Sequence, residues 1–356
     1  MNREFWRDKR VFLTGHTGFK GGWLALWLTD MGAQVHGYAL APPTQPNCFS
    51  ICGLQDLLRS STIADVRDAA ALGQAVRAAR PDIVLHLAAQ SLVRYSYSAP
   101  LETYGVNVMG TANLLEAVRQ TQGVKAVVNV TSDKCYENRE WVWPYRENEA
   151  LGGSDPYSSS KGCAELVTAA YRRSYLDIAG IHLASARAGN VIGGGDWAAD
   201  RLIPDFLRAV DAGKTLIVHS PHATRPWQHV LEPLAGYLTL AEKLCTDGRE
   251  FAEAWNFGPH EAETRSVQWI VEYLSTQIPG TSWQSDSAPQ PHEASHLKVD
   301  SSKANARLGW SQRWNLESAL GKTLDWHQAW KRGADMRAIS LAQICDYETA
   351  PRQPHP

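Results

Sequence analysis

The sequence has no uninterrupted apolar run long enough to cross a membrane, although 44% of its 356 residues are hydrophobic. A transmembrane helix needs about 20 predominantly apolar residues in a row. Residues 1–8 are rich in charged side chains and lack the apolar segment of a secretory signal. We therefore expect a cytoplasmic protein that does not associate with a membrane.

The chain also has little net charge and few cysteines. Its formal charge of -2 gives no basis for expecting nucleic-acid binding. The cysteines are scattered, which indicates reduced thiols rather than a disulfide framework. Cys48 and Cys52 have no second pair at the spacing of metal ligands, so we predict no metal site. The six cysteines are Cys48, Cys52, Cys135, Cys163, Cys245 and Cys345.

Short apolar segments alternate with helix-like segments along the first half of the chain. Strands separated by helices predict a parallel sheet with helices on both faces, so the expected fold class is α/β and doubly wound. Strands are predicted at residues 10–14, 34–38, 62–64, 82–87, 126–131 and 179–186, and helices at 22–31, 68–79, 101–120 and 156–175.

Beyond residue 187 the pattern becomes irregular and rich in Gly, Pro and Trp. We predict a larger first domain over residues 1–187, to which residues 228–258 return. Residues 188–227 and 259–345 are predicted to form a smaller second lobe. The prolines of segment 346–356 predict a disordered tail.

A glycine-rich turn follows the first predicted strand and opens a helix. It reads Gly15-His-Thr-Gly18-Phe-Lys-Gly21. Glycine allows a sharp turn and a close approach of the backbone to a pyrophosphate, and the helix N-terminus offers unpaired N–H groups. Because of its position after the first strand, the turn predicts a dinucleotide site.

Tyr157 and Lys161 lie four residues apart on a predicted helix, so both side chains project from one face. A free phenol has a pKa of about 10 and becomes a base near neutrality only beside cationic groups. Lys161 can supply one positive charge. The pair therefore indicates proton abstraction by Tyr157.

These motifs occur in an order that resembles the extended short-chain dehydrogenase/reductase family. The resemblance covers roughly residues 8–330. It implies a Rossmann-type domain that binds NAD, followed by a smaller C-terminal lobe that binds a nucleotide-diphosphate sugar. The matching segments are Thr14–Gly21, Asp65–Val66, Leu87–Gln90, Tyr157–Lys161 and Asp300–Trp310.

The same resemblance implies which residues contact NAD. One feature departs from the family pattern: no acidic residue follows the second strand to bind the ribose 2′-hydroxyl. NAD is still favoured, while Lys20 beside the glycine turn keeps NADP open as an alternative. The implied cofactor-binding residues are Gly15, Thr17, Gly18, Phe19, Lys20, Gly21, Asp65, Val66, Leu87, Ala88, Ala89, Gln90, Tyr157 and Lys161.

Asp133 and Lys134 directly follow Ser132, which the resemblance places on the same sugar hydroxyl as Tyr157. In the nucleotide-diphosphoglucose 4,6-dehydratases of this family an acid–base pair stands there, and the Asp-Lys form is similar to members that use a cytidine nucleotide. The resemblance implies that Asp133 protonates the departing C6 hydroxyl and that Lys134 removes the C5 proton. Two alternatives remain: a surface ion pair worth under about 1 kcal/mol, or a charged Lys134 that stabilises an enolate.

The second lobe carries three candidate substrate contacts. Arg225 stands where relatives place a pyrophosphate-binding arginine, whose guanidinium suits two phosphate oxygens. Asn190 and Arg201 are further candidates, and each of the three could instead be a solvated or capping residue. Other activities also remain open, namely a nucleotide-sugar 4-epimerase, which needs no acid–base pair after Ser132, and a non-catalytic regulator.

The resemblance also bears on oligomeric state. In relatives, the helices that correspond to those starting at Leu101 and Pro156 form a two-fold interface. We therefore expect a homodimer or homotetramer.

Overall fold

The computed structural model describes residues 1–286 and 296–353. Its strands are β1 (Arg10–Thr14), β2 (Gln34–Ala39), β3 (Ser60–Ile63), β4 (Ile83–His86), β5 (Ala126–Val130), β6 (His182–Ala188), β7 (Val191–Ile192), β8 (Leu216–Val218), β9 (Thr224–Arg225), β10 (Gln228–His229), β11 (Ala254–Phe257), β12 (Arg265–Ser266) and β13 (Trp283–Ser285).

Seven of these strands form one parallel sheet in the order β3-β2-β1-β4-β5-β6-β11. Strands β1, β4 and β5 are short buried apolar runs, as expected where helices cover both faces of a sheet. The predicted doubly wound sheet is therefore confirmed. Strands β2 and β3 lie on one side of β1, and β4 lies on the other side. The order in which strands are added therefore reverses between β1 and β4, and such a point opens a crevice at the carboxyl ends of the two strands.

The helices are α1 (Arg3–Trp6), α2 (Phe19–Asp30), α3 (Cys48–Ile51), α4 (Ala69–Ala79), α5 (Val93–Ser98), α6 (Pro100–Tyr104), α7 (Gly110–Arg119), α8 (Pro156–Tyr171), α9 (Leu202–Asp211), α10 (Leu231–Thr246), α11 (Val267–Gln277), α12 (Leu316–Lys331) and α13 (Met336–Thr349). Within the described ranges, none of them has both the length and the apolar character needed to span a bilayer.

The helix predicted over residues 101–120 is divided by a π-helical turn. The turn spans Gly105–Met109 and links α6 to α7. Asn107 lies inside it, where its side chain donates to the Gln90 carbonyl at 2.9 Å and accepts from the Gln90 N–H at 3.0 Å. The bulge thus ties this helical path to the loop after β4.

Apolar side chains cover both faces of the main sheet. Trp27 of α2 and Leu238 of α10 belong to the cluster on one face, and Val76 of α4 and Leu114 of α7 to the cluster on the other. A third cluster is built from α9, α11, α12 and β8. Three small two-stranded sheets, β7–β10, β9–β12 and β8–β13, complete the second half of the chain. The boundaries proposed for two lobes stay a prediction.

The C-terminal segment is ordered further than predicted. Residues up to Thr349 belong to α13, so the disordered tail predicted for 346–356 is wrong in its first part. Tyr347 is buried edge-on against Trp27 and Trp314, with ring centres 5.7 and 5.3 Å away, and its hydroxyl donates to Glu232 at 2.8 Å. These contacts hold the last turn. Residues 354–356 of the predicted tail lie outside the described residues.

Candidate active site

The predicted site residues come from loops at one edge of the sheet. The glycine turn follows β1, Leu87–Gln90 follow β4, Ser132 and Asp133 follow β5 and Asn190 follows β6. Parallel strands bring their carboxyl ends to the same edge, so segments far apart in sequence meet there. The sheet topology is what assembles this site.

The glycine turn fits a pyrophosphate. Gly15 has a φ of +79°, and a Cβ there would lie 2.8 Å from the Ala88 nitrogen. A Cβ on Gly21 would overlap the carbonyl oxygen of Gly15. Gly18 precedes α2, and among the described residues no side chain caps this helix start. The turn therefore offers free helix N–H groups beside a backbone that a ligand can approach closely.

Three side chains of the turn have different surroundings. The Thr17 hydroxyl donates to the Leu40 carbonyl at 2.8 Å, which fixes the loop after β2. The Phe19 ring packs against Gly193, where an added Cβ would lie 3.2 Å from the ring. Lys20 is half-buried, and burial lowers its pKa to about 8, aided by the positive charges of Arg201 and Lys161. Lys20 is therefore close enough to Lys161 and Asp133 for their charges to act on it.

The loop after β4 forms the opposite wall of this crevice. The Thr14 hydroxyl accepts hydrogen bonds from the Leu87 and Ala88 N–H groups, both at 3.1 Å. Ala89 and Gln90 continue the half-buried wall, and Gln90 is anchored by Asn107. Ala88 and Ala89 contribute only methyl groups to this wall.

Asp65 and Val66 lie at the end of the crevice beyond β3. Val66 is buried against Gly110. The Asp65 carboxylate accepts from the Arg67 side chain at 2.9 Å, and this hydrogen bond lowers the pKa of the carboxyl. The carboxylate is therefore already engaged by a guanidinium. Its predicted contact with adenine stays a prediction.

Tyr157 and Lys161 project from the first turns of α8 towards Ser132. Asp155 caps the helix by accepting from the Ser158 N–H at 2.9 Å. Burial raises the pKa of Tyr157 to about 12, and a hydrogen bond with Ser132 partly offsets this. Burial lowers the pKa of Lys161 to about 8. The structure therefore brings together the three residues expected to handle one hydroxyl proton.

Asp133 lies beside this group and is only 2% exposed. Its Oδ1 accepts from the Ser132 hydroxyl at 3.1 Å, whereas its Oδ2 is buried with no hydrogen-bond partner in the part of the chain that the structure describes. Burial raises the pKa of this carboxyl. The alternative of a surface ion pair is therefore wrong, because one of its two members is buried. Lys134 is half-buried, and its backbone N–H donates to Ser132 at 3.2 Å.

The candidate substrate residues flank this centre. Arg225 on β9 is buried, and its charge acts to lower the pKa of Asp133 against the dominant effect of burial. Arg201 donates to Asp196 at 2.8 Å and to Ser91 at 3.0 Å, and its charge acts to lower the pKa of Tyr157. Asn190 accepts from the Gln228 N–H through its backbone oxygen at 3.0 Å. The charge of Arg201 thus acts on the Tyr157 phenol, and the charge of Arg225 acts on the Asp133 carboxyl.

A buried ion pair beneath the site was not predicted from the sequence. Glu165 lies one helical turn beyond Lys161 and pairs with Arg187 at 2.8 Å. It also accepts from the Thr131 hydroxyl at 2.5 Å, which fixes the residue before Ser132. The spacing of four from Lys161 was a readable signal, because it places Glu165 on the same helix face.

Within the described ranges, no group of three His, Cys, Asp or Glu side chains could hold a metal ion. His86 is a satisfied core residue, as it contacts the Thr14 hydroxyl at 2.7 Å and the Thr111 hydroxyl at 3.3 Å.

Comparisons with known proteins identify relatives of this chain. A family model described as GDP-mannose 4,6 dehydratase matches residues 12–323. A CDP-glucose 4,6-dehydratase of Salmonella typhimurium (strain LT2) is 55% identical over 356 residues, which span 98% of this chain and 99% of that relative. The dTDP-glucose 4,6-dehydratase 1 of Escherichia coli (strain K12) is 26% identical over 288 residues, or 74% of this chain and 77% of the relative.

Solved structures share the fold at lower identity. DesIV, a dTDP-glucose 4,6-dehydratase of Streptomyces venezuelae solved with NAD bound, has a TM-score of 0.77 and 23% identity, covering 92% of this chain and 99% of that one. A UDP-glucose 4-epimerase of Thermotoga maritima has a TM-score of 0.76 and 22% identity, covering 89% and 98%. The resemblance to extended short-chain dehydrogenase/reductases is thereby confirmed. The chain belongs to the GDP-mannose 4,6-dehydratase family.

Proposed function

We propose that this protein is an NAD-dependent CDP-glucose 4,6-dehydratase. It would convert CDP-D-glucose to CDP-4-dehydro-6-deoxy-D-glucose and water, a step towards the deoxysugars of surface polysaccharides. The observation that carries the proposal is the buried Asp133 carboxyl beside Ser132 and Tyr157, since burial raises the pKa of this carboxyl, the direction that a general acid needs. The near full-length similarity to a relative of that name supports the choice of nucleotide.

The crevice residues fit a dinucleotide. The helix start at Gly18 would receive the pyrophosphate, the wall from Leu87 to Gln90 would lie along the dinucleotide, and Val66 would bound the adenine end. When bound, NAD would accept a hydride from C4 of the sugar and return it to C6. Lys161 would hold the nicotinamide ribose as well as face Tyr157.

The first chemical step would rest on three side chains. Tyr157 takes the proton of the C4 hydroxyl as C4 is oxidised. Ser132 donates to or accepts from the same oxygen and keeps it facing the phenol. Lys161 stabilises the phenolate that precedes proton transfer, since a positive charge favours the ionised phenol.

Loss of water would rest on Asp133 and Lys134. A C4 ketone acidifies the C5 proton, which Lys134 would remove and return to C5 when the hydride is delivered to C6. Asp133 gives its proton to the C6 hydroxyl as it leaves, and its unpartnered Oδ2 is the oxygen available for this. In the milder alternative, Lys134 stays charged and stabilises the enolate instead.

The remaining contacts would position the nucleotide. Arg225 would bind the pyrophosphate of the substrate through its guanidinium. Arg201 and Asn190 would border the sugar or the phosphates. The charge of Arg225 acts to lower the pKa of Asp133, which supports a site for the diphosphate near this carboxyl.

The direct test incubates the purified protein and NAD with CDP-glucose and measures the alkali-induced absorbance of a 4-keto sugar. Parallel reactions with dTDP-glucose, UDP-glucose and GDP-mannose test base selectivity, and we expect CDP-glucose to be the preferred substrate. Formation of CDP-galactose without loss of water would indicate the 4-epimerase alternative. No reaction with any of them would contradict the proposal.

We also propose that the protein is a homodimer through the faces of α6–α7 and α8. Leu101, Met109 and Leu166 are exposed by 86%, 56% and 60% along these neighbouring helices. Exposed apolar side chains on one surface are stabilised when a second copy covers them. Light scattering should give twice the chain mass of 39.3 kDa, and Leu166→Glu should shift it to the monomer. A monomeric parent would contradict the proposal.

A further inference from the structure

Gly189 faces the unpartnered oxygen of Asp133. A Cβ placed on Gly189 would lie 2.7 Å from Asp133 Oδ2 and 2.5 Å from the Cγ of Pro226. Cβ atoms in proteins essentially never approach other atoms within 3.0 Å. The carboxyl and the proline ring therefore occupy the space that any side chain at this position would need.

The backbone gives no other reason for a glycine here. The φ of Gly189 lies outside the left-handed region, so an L-residue could adopt the same conformation. An alanine at this position would thus be disfavoured by its methyl group, which has no space beside Asp133 and Pro226.

The neighbours of Gly189 are held in place. Ala188 pairs with Phe257 in the main sheet, and the Asn190 carbonyl accepts from the Gln228 N–H at 3.0 Å. The ring of Pro226 is rigid. The Asp133 carboxyl is the movable partner, because a side-chain rotation can carry Oδ2 away while the backbone stays fixed.

We propose that Gly189 is a positioning residue for Asp133, because its missing side chain lets Oδ2 face the C6 hydroxyl of a bound hexose. This inference rests on the proposed dehydratase function. A methyl group at 189 would push the carboxyl from the hydroxyl that it protonates. The atoms nearest to that methyl group belong to Asp133 and Pro226, so oxidation at C4 should survive while loss of water fails.

The test follows Gly189→Ala through a single turnover with CDP-glucose. We expect C4 oxidation near the parent rate and loss of water slowed on the order of 10²-fold, the usual effect of a 1 Å misplacement. Reduced nicotinamide and a 4-keto-glucose should therefore accumulate on the protein. Gly321→Ala is the matched control, since a Cβ there meets no atom within 4 Å. It should behave as the parent.

A double variant separates positioning from general damage. In an Asp133→Ala background the carboxyl is gone, so adding Gly189→Ala should slow loss of water no further. If Gly189→Ala alone fails to fold, adding Pro226→Ala removes the ring atom that lies 2.5 Å from the new methyl group and should restore folding, with loss of water still slowed. Full additivity of the two rate effects, equal slowing of both steps, or unimpaired loss of water in a folded Gly189→Ala, Pro226→Ala variant would overturn the role of Gly189.

Two different measurements distinguish a failure of the proposed function from a failure of the role proposed for Gly189. If the unmodified protein gives no 4-keto product, the dehydratase assignment fails. The contact between Gly189 and Asp133 is then tested by melting temperature alone. In a Pro226→Ala background, a drop in melting temperature on Gly189→Ala that Asp133→Ala relieves supports the contact, and a drop that it does not relieve overturns it.

Discussion

The ammonium of Lys161 lies 6.0 Å from the centre of the Tyr157 ring, one helical turn along α8. Burial raises the pKa of Tyr157 to about 12 and lowers that of Lys161 to about 8. Both shifts have one cause, since a buried site disfavours each charged form. The phenol can therefore act as a base only where positive charge compensates for burial, and Lys161 is placed to provide it.

Replacing Tyr157 by Phe should abolish most turnover, by on the order of 10²–10⁴-fold, because the proton acceptor is lost. Nucleotide binding should change little, since the phenol oxygen acts on a proton in transfer. Steady-state rates and titration calorimetry with CDP-glucose measure the two effects. Tyr175→Phe, at a half-exposed ring distant from Ser132 along the chain, serves as control. Turnover of Tyr157→Phe close to the parent would remove this residue from the mechanism.

Asp133→Asn and Lys134→Met should separate oxidation from loss of water. Each variant keeps Tyr157 and Lys161, so reduced nicotinamide and a 4-keto-glucose should accumulate in a single turnover. Loss of water should slow by on the order of 10²–10⁴-fold. Solvent deuterium should enter C5 more slowly in Lys134→Met than in Asp133→Asn, because only the former lacks the proposed base.

Surface substitutions provide the controls for these two variants. Asp56→Asn and Lys125→Met change the same groups at exposed positions and should leave every step unchanged. Release of product at the parent rate by both active-site variants would contradict the acid–base roles. Unchanged exchange at C5 in Lys134→Met, with loss of water still blocked, would favour the charged Lys134 that stabilises an enolate.

Glu232 predicts a pH dependence of stability. Burial raises the pKa of this carboxyl from 4.5 to about 7, so the folded state favours the protonated form. Its contribution to stability is fully present below 4.5 and is lost as the pH rises through about 7. Glu232→Gln should remove this loss. Urea unfolding at several pH values across that window should show a flatter profile for the variant, and an unchanged slope would contradict the assignment.

The buried pair Glu165–Arg187 predicts a strongly non-additive stability effect. Arg187→Met leaves an unpaired buried carboxylate and should destabilise the fold by about 3–5 kcal/mol. Adding Glu165→Gln removes that charge and should recover part of the loss. Denaturant unfolding of the single and double variants measures this, and simple addition of the two losses would argue against a coupled pair.

Local sequence patterns predicted part of this site well. The turn from Gly15 to Gly21 and the pair Tyr157–Lys161 depend on spacing within one strand–turn–helix unit or one helix, so both are readable from sequence. Asp133 was ambiguous, since a neighbouring Lys134 fits a surface pair as well as a catalytic one. The burial of Asp133 depends on distant segments that pack around it, among them Gly189 in the loop after β6.

Other features depend on contacts between distant segments. Gly189 gives no conformational signal, because its role comes from Asp133 and Pro226 lying beside it. The sequence likewise did not predict that the last turn of α13 is ordered, because its contacts come from distant segments. Tyr347 is held there by Trp27 of α2 and by Glu232.

The most direct test of the central claim uses CDP-glucose carrying deuterium at C4. Internal return of the hydride predicts that the deuterium appears at C6 of the same product molecule, with water lost and only catalytic amounts of NAD required. A mixture of labelled and unlabelled substrate should show no exchange of deuterium between product molecules. Deuterium released on reduced nicotinamide, or retained at C4 of an isomerised hexose, would contradict the dehydratase account.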